Sequence, residues 1–488
     1  MLKGCVPWPE GFVDRYWAAG HWRGCTLDNL LRDWALQYGP RTALVHGDTH
    51  LTYANLNRRV DRMAAAFRLR GLRPGQRVVV QLPNVPEFVI TVFALMRAGV
   101  VPVLCPLSYR APQVPHIVRV TQAVGYVGPS VRQGFDHTAM AAGIAAQWPF
   151  LRRVFTYEEP GTSSPYGGLT TDPAGCQYSP LGALDSPPGP PLALSADEVA
   201  FFELAESTGG LPLLVPRTHN DYAYQVRAAA ELVGLAGHDV YLAALPAEST
   251  FAFGGPGIVG ALSVGGTAVL VDSVHDVPGA DDDGHADGLG GQEPAAWLSA
   301  VGRERVTITS LTPGCARRLV DVLPAAQADL SSLRLVQICG EALPRETAER
   351  LAARLGCRLQ PVFGLSEGLL VMTRPEDPDE TVLATHGRPL SPDDEIRIVD
   401  VDGQDVPEGE PGELLARGPY TVRGHYREPD RNALAFTPEG YVRSGVLARR
   451  DPAGNVVVTG PLEGAGGGRH DRWGIPTVFA EPFFGYLT

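Results

Sequence analysis

Hydrophobic and polar positions along the chain repeat with two periods. Asp28 to Tyr38 and Ala54 to Leu69 place apolar residues at helical spacing, and between them Thr42 to Asp48 with Leu51-Thr52-Tyr53 reads as a short hairpin turning at His46-Gly47-Asp48. After the turn Gly71-Leu72-Arg73-Pro74-Gly75, Arg77 to Leu82 reads as a buried strand, Val85 to Ala98 as a helix and Val100 to Leu104 as a second strand. The same alternation returns further on. A helix is expected over Asp221 to Leu232, with strands at Val240 to Leu245, Gly266 to Val271, Val306 to Leu311 and Leu333 to Ile338. Helices follow at Cys315 to Val322 and Arg345 to Leu355. Repeated strand–helix alternation implies layered α/β units with mostly parallel sheets. From Gly387 the period shortens to alternating strands, Glu395 to Val399, Gly412 to Arg417 and Tyr441 to Leu447, with turns at Asp402-Gly403 and Glu408-Gly409-Glu410. The fold class is therefore α/β, with two layered α/β subdomains and a small β-rich one.

Composition places the boundaries. Between about Glu158 and Ser195 the chain is rich in Gly, Pro, Ser and Thr, and Pro187 to Pro191 reads PPGPP, as expected of a solvated linker. The division that follows is 1–190, 191–375, 376–460 and an irregular tail at 461–488. Gly279 to Gly291, GADDDGHADGLGG, lacks the terminal Glu and spacing of an EF-hand and reads as a disordered insertion. At 488 residues, 44% hydrophobic and 19% charged, the chain has the makings of a soluble protein with a sizeable core. No apolar run of about 18 residues suggests a membrane span. The opening MLKGCVPWPEGF lacks the apolar stretch of a secretory signal, so a cytoplasmic location is expected. Seven scattered Cys, never in CxxC spacing, suit free thiols rather than zinc or a disulfide framework. A formal charge of −13 speaks against nucleic acid as a partner.

The chemistry gathers at Phe202 to Tyr224, FELAESTGGLPLLVPRTHNDYAY. An apolar run ends at Leu204, Glu206-Ser207-Thr208-Gly209-Gly210 forms a turn of small and hydroxyl residues, and a new apolar segment follows. Glycines let backbone N–H groups crowd an anion and hydroxyls add donors, the recipe for a phosphate cradle. A flexible surface turn has the same composition, and neither GxGxxG nor GxxxxGK[ST] is present.

With VPRTHNDY after it, the loop resembles the signature of the adenylate-forming superfamily, specifically its aryl-acid:AMP ligases, which activate 2,3-dihydroxybenzoate or salicylate with ATP for siderophore and nonribosomal assembly lines. The likeness runs from about Phe12 to Gly460. It includes Tyr126-Val127-Gly128-Pro129, LVQICGEALPRE, Val362 to Gly368, HGRPLSPDDEIRIVD and ARGPYTVRGHYREPDRNALAFTPEGY. The resemblance implies the fold of the family's large N-terminal domain. It assigns Ser207, Thr208, Gly209 and Gly210 to the phosphates. Gly340, Glu341, Ala342, Phe363, Gly364 and Leu365 fall to the adenine side, Glu367 to magnesium, and Ser249, Thr250, Phe251 and Gly255 to the acid pocket.

Several positions depart from the family's pattern. Where the family reads something like SGGSTGLPK, this chain reads AESTGGLPL over Ala205 to Leu213, so the loop lysine is Leu213 and a carboxylate, Glu206, enters the turn. The aspartate that grips the ribose is Val446, which accepts no hydrogen bond. The pocket His-Asn pair is Ser249-Thr250, and a hydroxyl further along is Gly255. The hinge Arg and Asp fall on Pro461 and Gly464. After Gly460 the likeness stops, so the lid domain and its lysine are expected to have no position here. Removing one preorganised charge-stabilising donor costs about 10²–10³ in rate. The resemblance therefore implies a degenerate homologue that binds an aryl or acyl carboxylate, a carrier protein or an active paralogue, without ordinary adenylation. Should family activity survive, its cofactors are ATP and magnesium. The alternative is a ligase or acyltransferase with altered chemistry, its lid supplied by another chain or its acyl donor already activated. A decayed or frameshifted reading frame is a third reading. Against it, substitutions concentrate at reactive positions while strand patterning elsewhere is undisturbed.

Overall fold

The computed structural model describes residues 1–159, 169–173, 175–205, 210–272, 293–323, 328–340 and 343–462. Two large sheets dominate. The eight-stranded sheet runs, edge to edge, through Leu213–Thr218, Val199–Ala205, Val101–Leu104, Arg77–Val80, Gly125–Pro129, Arg153–Tyr157, Gln177–Pro180 and Thr170–Thr171. The nine-stranded sheet runs through Arg388–Pro389, Leu369–Met372, Arg358–Leu365, Leu335–Cys339, Ile308–Leu311, Val240–Ala243, Thr267–Leu270, Thr42–His46 and Thr49–Thr52. Their interiors are parallel and their ends antiparallel. A four-stranded antiparallel sheet, Glu395–Val399, Gly412–Arg417, Val442–Arg450 and Val456–Pro461, forms the small β-rich unit. This is the α/β architecture that the hydrophobic pattern implies.

Helices fill the space between the two large sheets. Leu27–Tyr38, Tyr53–Leu69, Pro86–Arg97, His219–Leu232 and Gly257–Ser263 contribute to one apolar cluster with strand residues from both, among them Val78, Leu104, Leu44 and Leu270. Pro86–Arg97, PEFVITVFALMR, is apolar nearly all round and buried along almost its whole length, as a helix in a middle layer must be.

Two expectations are corrected. The segment read as a solvated linker contains Gln177–Pro180, a strand paired in parallel with Arg153–Tyr157, and Cys176, Tyr178, Leu181 and Leu184 are buried. Tyr178 and its apolar neighbours bury enough surface to hold this stretch on the sheet despite its turn-rich surroundings. A division at 190 also cuts through shared sheets. Val199–Ala205 pairs in parallel with Val101–Leu104, while Thr42–His46 crosses to the other sheet beside Thr267–Leu270. The expected insertion at 279–291 and the tail from 463 onward lie outside the described residues.

Candidate active site

The loop that carries the phosphate signature joins two antiparallel strands, Val199–Ala205 and Leu213–Thr218, whose last pair before the turn is Ala205 with Leu213. Glu206, Ser207, Thr208 and Gly209 lie outside the described residues. Gly210 has φ +72°, in the left-handed region where glycine carries no Cβ penalty. Leu213 is 2% exposed and belongs to an apolar cluster with Phe363, Leu365, Leu369, Ile398, Val422 and the half-buried Val446.

Beyond Leu213 the strand leads into the helix His219–Leu232 through a capping box. Thr218 Oγ1 accepts from the Asp221 N–H, and the Asp221 carboxylate accepts from the Thr218 N–H. Arg217, just ahead, is fully buried. Its guanidinium donates to Asp221 Oδ1 at 2.9 Å, Glu203 Oε2 at 2.8 Å and Gln225 Oε1 at 2.7 Å. Burial works against the charged guanidinium, but the Asp221 and Glu203 carboxylates outweigh it and push its pKa above the usual arginine value. Burial holds both carboxyls above the ordinary carboxylate range even with Arg217 between them. Gln225 Nε2 in turn donates to the Gly254 carbonyl, which couples the network to the helix Thr250–Gly254.

On the opposite wall, the strand Arg358–Leu365 alternates faces with period two. Val362 packs with Phe251 and Leu370 on one face, while Phe363 and Leu365 join the Leu213 cluster on the other. Gly364 shares the Val362 face: a Cβ there would stand 2.9 Å from the Phe251 ring and 2.8 Å from Leu370, so only glycine admits the close approach. The expected adenine-side residues Phe363, Gly364 and Leu365 are thus divided between two faces of one strand. Gly340 ends the neighbouring strand with φ +106°, its N–H donating to the Val362 carbonyl, and the space a Cβ would enter is open. Glu341 and Ala342 lie outside the described residues.

The turn Ser366-Glu367-Gly368 links Arg358–Leu365 to Leu369–Met372. Ser366 Oγ donates to the Leu204 carbonyl, and the Glu367 carbonyl accepts from the Val422 N–H at 2.8 Å. Gly368, at φ +102°, leaves 1.9 Å between a notional Cβ and the Tyr420 carbonyl oxygen, so any side chain would displace the turn. The Glu367 carboxylate is 2% exposed and 2.9 Å from His425 Nε2, itself fully buried. Nothing in the spacing of Glu367 and His425, 58 residues apart, foretells this contact.

The expected acid-pocket residues are brought together, but the Ser249 hydroxyl is engaged. Ser249 caps the helix Thr250–Gly254, accepting from the Ala252 N–H and donating to the Pro246 carbonyl. Thr250 opens that helix. Phe251 is left facing Gly364, and Gly255 follows the helix as its C-cap. Sequence reasoning did not single out Arg217, Glu203, Gln225 or His425. The charged letters of PRTHND were available as a signal, since an arginine that closes the apolar run Leu211 to Pro216 must find partners if the strand is buried.

This architecture, two large sheets with helices between them and a small antiparallel sheet, is that of the AMP-binding enzymes, whose family model matches residues 31–426, and the chain belongs to that family. Its relatives include the 2,3-dihydroxybenzoate-AMP ligase of Bacillus subtilis strain 168, 38% identical over 94% of this chain and 79% of that protein. Another is the salicyl-AMP ligase/salicyl-S-ArCP synthetase of Mycobacterium tuberculosis, 40% identical over 95% of this chain and 77% of its own length. Among solved structures, apo MbtA of Mycobacterium smegmatis superposes with a TM-score of 0.82 at 37% identity, covering 94% of this chain and 80% of that one. Among the described residues no helix is long and apolar enough to cross a membrane.

Proposed function

We propose that this chain is a cytoplasmic aryl-acid:AMP ligase homologue whose ATP-dependent adenylation is strongly impaired. It binds an aryl or acyl carboxylate, or a carrier protein or active paralogue, within a siderophore or nonribosomal-peptide pathway. The observation that carries this reading is Leu213. The family's loop lysine position is a leucine closed into an apolar cluster that also takes in Val446, the family's ribose-aspartate position, and Phe363. Adenylation needs cations and backbone donors aimed at the phosphates and a charged or polar grip on the ribose. Among the described residues this wall offers alkyl groups and a phenyl ring instead. A magnesium–triphosphate does not fit such a surface, and Glu367, the acid that the resemblance gives to magnesium, is held by His425.

Pyrophosphate exchange tests the proposal. Salicylate and 2,3-dihydroxybenzoate are expected to give background exchange, and calorimetric titration with ATP and magnesium to give no saturable sub-millimolar binding. Robust, saturable exchange with either acid overturns it and establishes an active ligase of altered chemistry.

A further inference from the structure

Away from the cleft, the helices Leu27–Tyr38, His219–Leu232 and Gly257–Ser263 enclose a cavity of about 300 Å³. Its walls are apolar, including Leu30, Trp34, Val226, Ala230, Val259 and Val264. Two cations, Arg23 and Arg227, stand among its lining residues together with one acid, Glu231. Arg227 donates to the Gly20 and His21 carbonyls at 3.2 and 2.9 Å, and its Nε lies 4.0 Å from the largely exposed Glu231 carboxylate. Arg23 is exposed and has no ion-pair partner among the described residues. The lining therefore carries a net positive charge beside a chamber whose walls give water few groups to bond. Burial, and then Arg23, hold Arg227 below the usual arginine range, a strain that a bound anion relieves.

We propose that this cavity binds a small amphiphilic monocarboxylate, with its aryl or medium-chain alkyl body in the apolar chamber and its carboxylate between Arg23 and Arg227. The volume stands at the lower end of ligand pockets, about 300–1,000 Å³, which limits the occupant to a small acid. The cavity shares no lining residue with the Ser249–Gly255 segment or the Glu367 turn, so it is a second site and does not rest on the fate of adenylation.

Calorimetric titration of the full chain with decanoate and 1-naphthoate, against decanol and 1-naphthalenemethanol, tests this. The acids are expected to bind saturably and the alcohols at least tenfold more weakly; Arg227→Gln should reduce acid affinity about tenfold and erase that preference. Ala223→Phe and, independently, Ala230→Leu fill the chamber and should abolish binding while circular dichroism stays native. Phe251→Trp, which alters the cleft alone, should leave it intact. The assignment fails if neither acid binds saturably at low millimolar concentration, if the alcohols bind as well as the acids, or if a folded cavity-filled variant binds like the parent. It fails equally if Phe251→Trp is the substitution that removes binding. Were both filled variants unfolded, the acid-over-alcohol preference and its loss in Arg227→Gln decide the matter.

Discussion

Leu213, which the resemblance aligns with the family's loop lysine, has surroundings suited to an alkyl side chain. It packs with Phe363, Leu365 and Val446 and is closed to water. A lysine there would have to bury its ammonium or push its stem through the cluster toward solvent. Leu213→Lys is therefore expected to lower stability by about 2–4 kcal/mol in urea unfolding and to restore no exchange activity. Arg217 makes the opposite case, a charge that the core cannot lose. Arg217→Met leaves Glu203 and Asp221 buried without their cation, and a loss of about 3–5 kcal/mol is expected by the same measurement. At this scale the sequence revealed identities and not partnerships. Leu213, Val446 and Ser249-Thr250 stood out as departures from a known pattern, and Leu213 and Val446 fall in one apolar cluster. That Ser249 caps a helix, or that His425 reaches Glu367, depends on contacts between residues brought together only by the fold.

Elements were legible where a period is long and clean. The strands of the large sheets and the helices between them fall within a few residues of their hydrophobic patterns, and the hairpin at His46-Gly47-Asp48 is present. The strand Gln177–Pro180 was hidden by prolines and glycines on either side, because four residues carry too little periodicity to announce themselves. The junction between the nine-stranded sheet and the small one holds a titrating element. Asp394 is half-buried, accepts from the Tyr420 hydroxyl and the Ser391 N–H through one oxygen, and keeps its other oxygen closed to water without a hydrogen bond. Burial, against the Tyr420 hydrogen bond, raises its pKa from 3.8 to about 7. A carboxyl whose folded pKa is raised favours the folded state while protonated, so its contribution is full below about pH 4 and is lost as pH rises to about 7. The difference in unfolding free energy between the parent and Asp394→Asn should shift across that window by roughly 3–4 kcal/mol, with the parent losing stability as pH rises. A difference that is flat from pH 4 to 7 would refute this account of Asp394.

The whole molecule is woven rather than strung. Thr42–His46 and Thr49–Thr52 complete the nine-stranded sheet, and Val199–Ala205 with Leu213–Thr218 complete the eight-stranded one, so each sheet borrows a hairpin from the other half of the chain. Fragments 1–190 and 191–488 made separately should each expose a bare sheet edge and fail to give cooperative unfolding transitions by circular dichroism. Two fragments that each melt cooperatively would restore 190 as a true boundary. Such a crossing is invisible to any reading of local pattern, since the pattern says that a strand exists and not which sheet receives it.

The strand Arg358–Leu365 is a party wall. Its even and odd residues look into different rooms, Gly364 toward Phe251 and Phe363 with Leu365 toward Leu213. Because neighbouring side chains on such a partition never meet, one room can be refurnished while the other keeps its dimensions. A substitution that reshapes the packing around Leu213 is therefore under no steric obligation to disturb the seat of Phe251 against Gly364.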